Sequence, residues 1–367
     1  MKLFVTLTTV LVFAAASTAL GQGQVHQNTL MHNGLEREYL LFVPSGYDPA
    51  METPLVLNLH GVMSSGPGQM AISGMNPVAE QEGFLVAYPS AVGGDWGDDN
   101  PDVPGADHNI SFIDSLVDII TSDYTVDANR VYSTGLSQGG MMSQMLAAAR
   151  PYTFAAVASV AAVRPFSTGL AEPADSIFPP YVPPVPSRPF PLLHIGGTAD
   201  VVVPYEGGNL GIPGLEFIEF RSVESMVAEW AANNGSSQAP SITELPDTYA
   251  DDGSTVTLFS YDDTATYTTT PGVEQSADIL FYRVNGGGHS WPVDPGLRPP
   301  FSDAIAFAFP INSDINASSV IWDFFSQHQL AAIPEPTSLS LAGFAVVSLL
   351  FVLRRRPHSR FSRFSGV

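Results

Sequence analysis

Hydrophobic and polar positions along the chain alternate between two periods. Short, near-continuous apolar runs recur at Glu38–Val43, Pro54–His60, Phe84–Tyr88, Arg130–Thr134, Phe154–Val160, Leu192–Ile195 and Ile279–Val284. Runs of that length without strict alternation are strands buried on both faces, as in a parallel sheet. Stretches that repeat every three or four residues fall between them. They predict helices over 75–82, about 110–123, the Met141–Ala149 run, 219–233 and 315–328. Buried strands alternating with helices predict an α/β fold with a mostly parallel central sheet flanked by helices. Three stretches carry neither period: the glycine turn and flexible Ser64–Gly68, a proline-rich segment at 164–191, and a polar, turn-rich span from 234 to about 277. The proline-rich segment reads as a surface insertion within one domain, because the strand pattern resumes directly after it at Leu192.

The two ends differ from the middle. Lys2, an apolar run from Leu3 to Ala16 and the small residues Ala19 and Gly21 predict a secretory signal peptide over 1–21. At the other end Pro334-Glu335-Pro336 precedes an apolar segment over 338–353, and Arg354-Arg355-Arg356 follows it. The segment is of marginal length for a membrane span, and the arginines assign that end to the cytoplasmic side. The tripeptide, apolar segment and basic tail together resemble the PEP-CTERM sorting signal of certain bacteria. That resemblance implies an exosortase-type processing enzyme as a partner, a transient anchor in the inner membrane and release at or beyond the cell surface. A plain single-span anchor is the alternative. A main domain is thereby expected over 22–333, and a sorting segment over 334–367.

Charge narrows the list of partners. The full chain carries −22, and residues 22–333 hold 35 acids against eight arginines and no lysine, a net of −27. No basic face is available to neutralise phosphates, so nucleic acid is not an expected partner. The chain has no cysteine, which rules out disulfides and thiolate metal sites. Asp95, Asp98, Asp99, Asp102 and Asp107 crowd one loop without a recognised calcium spacing, and no metal or cofactor is assigned to it.

The candidate chemistry centres on Gly135-Leu136-Ser137-Gln138-Gly139, a G-x-S-x-G sequence between a strand and a helix-forming run. A serine on such a tight turn projects its hydroxyl clear of the sheet, and glycines let the backbone pass closely on either side. Serine needs a base to take its proton and an acid to orient the base. Among the histidines that follow it, His289 stands in Gly286-Gly-Gly-His-Ser-Trp-Pro directly after a buried strand. His328 and His358 lie at the end of the last helix and beyond the apolar segment. For the acid, Asp200 follows the strand Leu192–Ile195 in a short turn, whereas Asp247, Asp251 and Asp252 sit in a polar stretch. An oxyanion hole needs two backbone donors, expected from Gln138 and from Val62 in the His60-Gly61-Val62 turn. Trp291 and Trp96 are candidates for lining a substrate pocket. Met141, Met142 and Met145 read as core packing.

The spaced set Leu59-His-Gly61, Gly135-Leu-Ser-Gln-Gly-Gly140, Gly197-Thr-Ala-Asp200-Val-Val-Val-Pro-Tyr205, Gly287-Gly-His-Ser-Trp-Pro292 and Ala317-Ser-Ser-Val-Ile-Trp-Asp-Phe-Phe325 resembles the polyhydroxybutyrate depolymerase and feruloyl esterase family of α/β-hydrolases. The resemblance spans about residues 35–328. It implies Ser137 as nucleophile, Asp200 as acid and His289 as base, acting on a carboxylic ester: a hydroxyalkanoate oligomer, or a feruloyl or acetyl-type ester. The sequence departs from the family at Asp107-His-Asn-Ile, in its lack of cysteine, and in the length of 164–191. These departures bear on substrate choice. A serine peptidase on the same fold and a non-catalytic surface or matrix protein on a hydrolase scaffold are the competing readings.

Overall fold

The computed structural model describes residues 22–96, 108–163, 165–166, 186–209, 219–269, 272–298 and 310–331. In chain order the strands are β1 (Gln24–His32), β2 (Leu35–Val43), β3 (Thr53–Leu59), β4 (Leu85–Pro89), β5 (Val126–Gly135), β6 (Ala156–Val160), β7 (Pro165–Phe166), β8 (Leu192–Gly197), β9 (Gly208–Asn209), β10 (Glu219–Phe220), β11 (Ser241–Glu244), β12 (Thr255–Tyr261), β13 (Thr266–Thr268), β14 (Glu274–Ser276) and β15 (Ile279–Asn285). Ten of them form one sheet in the order β1-β2-β4-β3-β5-β6-β8-β15-β12-β11. The six from β4 to β15 run parallel, and both edges are antiparallel. β3, β4, β6 and β8 are buried at every position, which explains their near-continuous apolar sequences.

Helices cover both faces. On one side α3 (His108–Asp123), α4 (Gln138–Ala149) and α5 (Val223–Asn233) bury Phe112, Ile113, Leu116, Leu146 and Trp230 against Leu55, Leu57 and Phe281. On the other, α1 (Gly66–Ser73), α2 (Met75–Glu82) and the last helix (Ala317–Phe325) cover Val56, Val86 and Tyr132. There Trp322 stacks on Phe84 at 4.0 Å, and Phe325 stacks on Tyr132 at 4.7 Å. Met141 and Met142 are buried in the first of these cores, as expected of packing residues.

Several sequence expectations are corrected. Ser64–Gly68 is not a flexible turn: Ser65 accepts a hydrogen bond from the Gly68 N–H and starts α1 at Gly66. The helix expected over 219–233 begins at Val223, where Ser222 caps it, while Glu219 and Phe220 pair with β7 and β9. The expected 315–328 helix contracts to 317–325 behind its Asn316 cap. The polar span 234–277 contains four strands, two of which extend the main sheet. β1 is a further unanticipated strand, and its mixed, half-exposed residues suit an edge. A compact unit ends at Ala331. Most of 164–191 and all of 332–367, the expected apolar segment included, lie outside the described residues. Among the described residues no helix is long and apolar enough to cross a membrane.

Candidate active site

Ser137 sits between β5 and α4 with φ 55° and ψ −123°, one of four non-glycine residues with positive φ among the described residues. Its own N–H donates to Val160 O at 2.8 Å, and its carbonyl accepts from the Met141 N–H at 3.0 Å. The backbone of the turn is therefore clamped to β6 and to the first turn of α4. The hydroxyl does not cap that helix, so it is left for chemistry. The flanking glycines are required by approach: a Cβ on Gly139 would fall 2.2 Å from Leu59 O, and one on Gly135 would fall 2.5 Å from the same atom. β3 thus presses directly on the serine turn, and only glycine permits it.

β8 and β15 deliver the other two groups from neighbouring strand ends. Their loops are laced together by Thr198 N to Val284 O (2.9 Å), Ala199 N to Gly287 O (2.8 Å) and Gly286 N to Thr198 Oγ1 (2.8 Å). His289 Nδ1–H donates to Asp200 Oδ2 at 2.8 Å, with side chains only 11% and 2% exposed. The other carboxylate oxygen accepts from the Val202 and Val203 N–H groups, each at 2.8 Å. Three hydrogen bonds to the Asp200 carboxylate fix the imidazole tautomer and leave Nε2 as the acceptor. The structure joins Asp200 and His289 but makes no hydrogen bond between His289 and Ser137 Oγ. Hydrolase geometry is often loose until substrate closes it. The competitors go elsewhere: Asp252 is tied to Ser254 and Ser313, Asp251 belongs to a short surface turn, and the ring of His328 is buried against Phe324.

The His60-Gly61-Val62 turn abuts the serine. A Cβ on Gly61 would sit 3.4 Å from Ser137 Cβ and 4.0 Å from Oγ. That places the two expected oxyanion donors, Val62 and Gln138, on segments in mutual contact. The hold on this turn is not legible in the sequence. His60 Nδ1–H donates to Gly61 O at 2.7 Å while Nε2 accepts from the Ala91 N–H at 3.0 Å. Burial pushes the His60 pKa down, which keeps the ring neutral and able to do both. The side chain of Gln138 accepts from the Trp96 N–H at 3.0 Å and donates to Asp95, binding the Ser137 turn to the start of the acidic loop.

Trp96 and Trp291 are 2% and 3% exposed and pack in the two cores. Trp96 donates its ring N–H to His60 O at 2.9 Å, so it buttresses the His60-Gly61-Val62 turn from behind instead of facing solvent. Next to this turn stands Met63, with φ 60° and a side chain 90% exposed. A left-handed conformation costs an L-residue roughly 1–2 kcal/mol. Among the described residues no three His, Asp or Glu side chains form a metal cluster, and Asp98, Asp99, Asp102 and Asp107 lie outside them.

A serine on a strained strand–helix elbow, a buried acid–histidine pair and a glycine turn at the carboxyl edge of a mostly parallel sheet define an α/β-hydrolase. The profile of the family described as "Esterase PHB depolymerase" matches residues 37–238, and the chain belongs to that family. It is 29% identical over 215 residues to feruloyl esterase B of Piromyces equi, covering 56% of this chain and 37% of that protein. It is 30% identical over 293 residues to poly(3-hydroxyalkanoate) depolymerase C of Paucimonas lemoignei, covering 77% and 65% of the two chains. The chain spans less than half the length of several curated relatives that it matches. Among solved structures, acetyl xylan esterase from Aspergillus awamori superposes with a TM-score of 0.50 at 19% identity. That match covers 78% of this chain and 99% of that one, a likeness of fold.

Proposed function

We propose that the chain is a serine esterase that cleaves carboxylic esters through an acyl-enzyme on Ser137. The observation that carries the reading is the buried Asp200–His289 hydrogen bond of 2.8 Å, on the same sheet edge as the strained serine. In this mechanism His289 Nε2 takes the Ser137 proton as Oγ attacks the ester carbonyl. The Val62 and Gln138 N–H groups receive the negative charge that forms on the carbonyl oxygen. The imidazolium then protonates the leaving alcohol, and Asp200 stabilises the imidazolium without taking its proton. A water activated by the same nitrogen releases the acid and restores Ser137. No cofactor takes part in these steps.

For substrate, we infer soluble or oligomeric esters of short hydroxy acids or of feruloyl and acetyl type. The names of the relatives supply these classes, and the chain's acidity adds nothing to adsorption on a neutral apolar solid. The test is a hydrolysis panel on residues 22–333: hydroxybutyrate dimer and polymer film, methyl ferulate, a short acetate ester and a peptide. Film cleared faster than either soluble ester defeats the substrate assignment, and cleavage of the peptide alone transfers the site to a peptidase. We further propose export and removal of the 1–21 and post-336 segments, with an exosortase-type enzyme acting at the Pro334-Glu335-Pro336 site. Finding peptides from 357–367 in the surface-released protein by mass spectrometry contradicts that processing.

A further inference from the structure

We propose that Met63, with Val92 on the turn clasped to it through Gly94, forms an apolar subsite at the mouth of the active site. It grips the aromatic or branched hydrocarbon part of the ester. This rests on the esterase reading above and adds a specificity-determining residue to it. Met63 stands two residues beyond Gly61, on the turn where a Cβ at Gly61 would lie 4.0 Å from Ser137 Oγ.

Its conformation is enforced from both sides. The Met63 N–H donates to Gly94 O at 2.8 Å, and the Ser64 N–H closes the turn on Gly61 O at 3.2 Å. Gly94, itself at φ 76°, lies so close that a Cβ on it would come within 3.2 Å of Met63 Cα. The same clasp carries Val92, 52% exposed, on the partner turn after β4.

A left-handed residue that tolerates only small or Asx side chains comfortably is thus occupied by a long apolar one. Its side chain, 90% exposed, gains no burial within the chain in return. Strain without internal packing is the pattern of a residue placed for a ligand. Methionine's flexible, polarisable thioether suits an aromatic ring or branched chain of variable outline.

Met63→Gly and Met63→Asn both accept φ 60°, so both variants are expected to fold with melting temperatures at or above that of the parent. The full chain and both variants are compared on methyl cinnamate (ring on the acid side), benzyl acetate (ring on the alcohol side) and ethyl acetate. The expected result is a fall of about five- to tenfold in the kcat/KM ratio of one ring-bearing ester to ethyl acetate, carried by KM. The ester affected tells which half of the substrate meets Met63. A general disturbance of the oxyanion turn lowers all three rates together, and ratios within twofold of the parent for both aromatic esters overturn the proposal. If the parent hydrolyses none of these three esters and no ester of the panel above, the esterase reading fails on its own. The subsite is then decided by NMR of methionine methyl groups during titration with the two aromatic esters. A shift of the Met63 methyl upholds it, and an unmoved signal rejects it.

Discussion

At the scale of single residues, the site is a set of groups whose freedom has been removed. Asp200 has both oxygens engaged, so His289 has one orientation and one tautomer. His60, too deeply buried to charge readily, spends both nitrogens on the turn that carries Val62. Ser137→Ala is therefore expected to lose about 10⁴-fold or more in turnover while its circular dichroism is unchanged, because a triad member is removed without disturbing the backbone clamps. A variant that keeps near-parent esterase rates displaces the nucleophile to another residue. The places of Ser137, Asp200 and His289 at strand ends were legible in the sequence, because each follows a buried apolar run within a few residues. The roles of the Gln138 side chain and Trp96 were not, since both depend on contacts between segments about 40 positions apart. Trp96, taken from sequence as a pocket wall, is a buried buttress.

At the scale of elements, the elbow works because β3, β5 and α4 crowd one point. Gly139→Ala would place a methyl 2.2 Å from Leu59 O, a backbone atom that cannot move without shifting β3. Overpacking of this kind costs about 1–3 kcal/mol or more. In a domain of this size that is a drop of several degrees in melting temperature, with activity falling alongside. Gly46→Ala, at a position with nothing within 4 Å, serves as the control. Equal melting temperatures for the two variants would show that the elbow is looser than described. The central strands were readable because burial on both faces leaves mostly apolar residues. The outer ones were not: β11 is exposed throughout and β1 nearly so, so tertiary pairing, not composition, makes them strands. Helix α1, only eight residues with Pro67 and two glycines, was hidden by its weak propensity and rests on the Ser65 cap.

At the scale of the whole molecule, two histidines outside the proposed triad are held neutral. Burial lowers His194 to about 3 and His328, also beside Arg188, to about 4. Below the ordinary histidine value of about 6.5, the unfolded chain binds protons at these positions and the folded chain does not. Stability is therefore full above about pH 6.5 and declines as pH falls towards 5. The slope is on the order of 1.4 kcal/mol per pH unit for each histidine. Chemical denaturation at pH 7.5, 6.5 and 5.5 checks this, and a flat profile across that window would mean that one or both rings charge in place. The central claim, that ester cleavage proceeds through Ser137 oriented beside the Asp200–His289 pair, is tested most directly by trapping. The protein is treated with a fluorophosphonate, its intact mass and residual esterase activity are followed together, and the modified peptide is sequenced. The account expects one adduct per chain, on Ser137, with activity lost in proportion to labelling. A protein labelled fully at Ser137 that still hydrolyses esters, or one inactivated by a label on another residue, contradicts it.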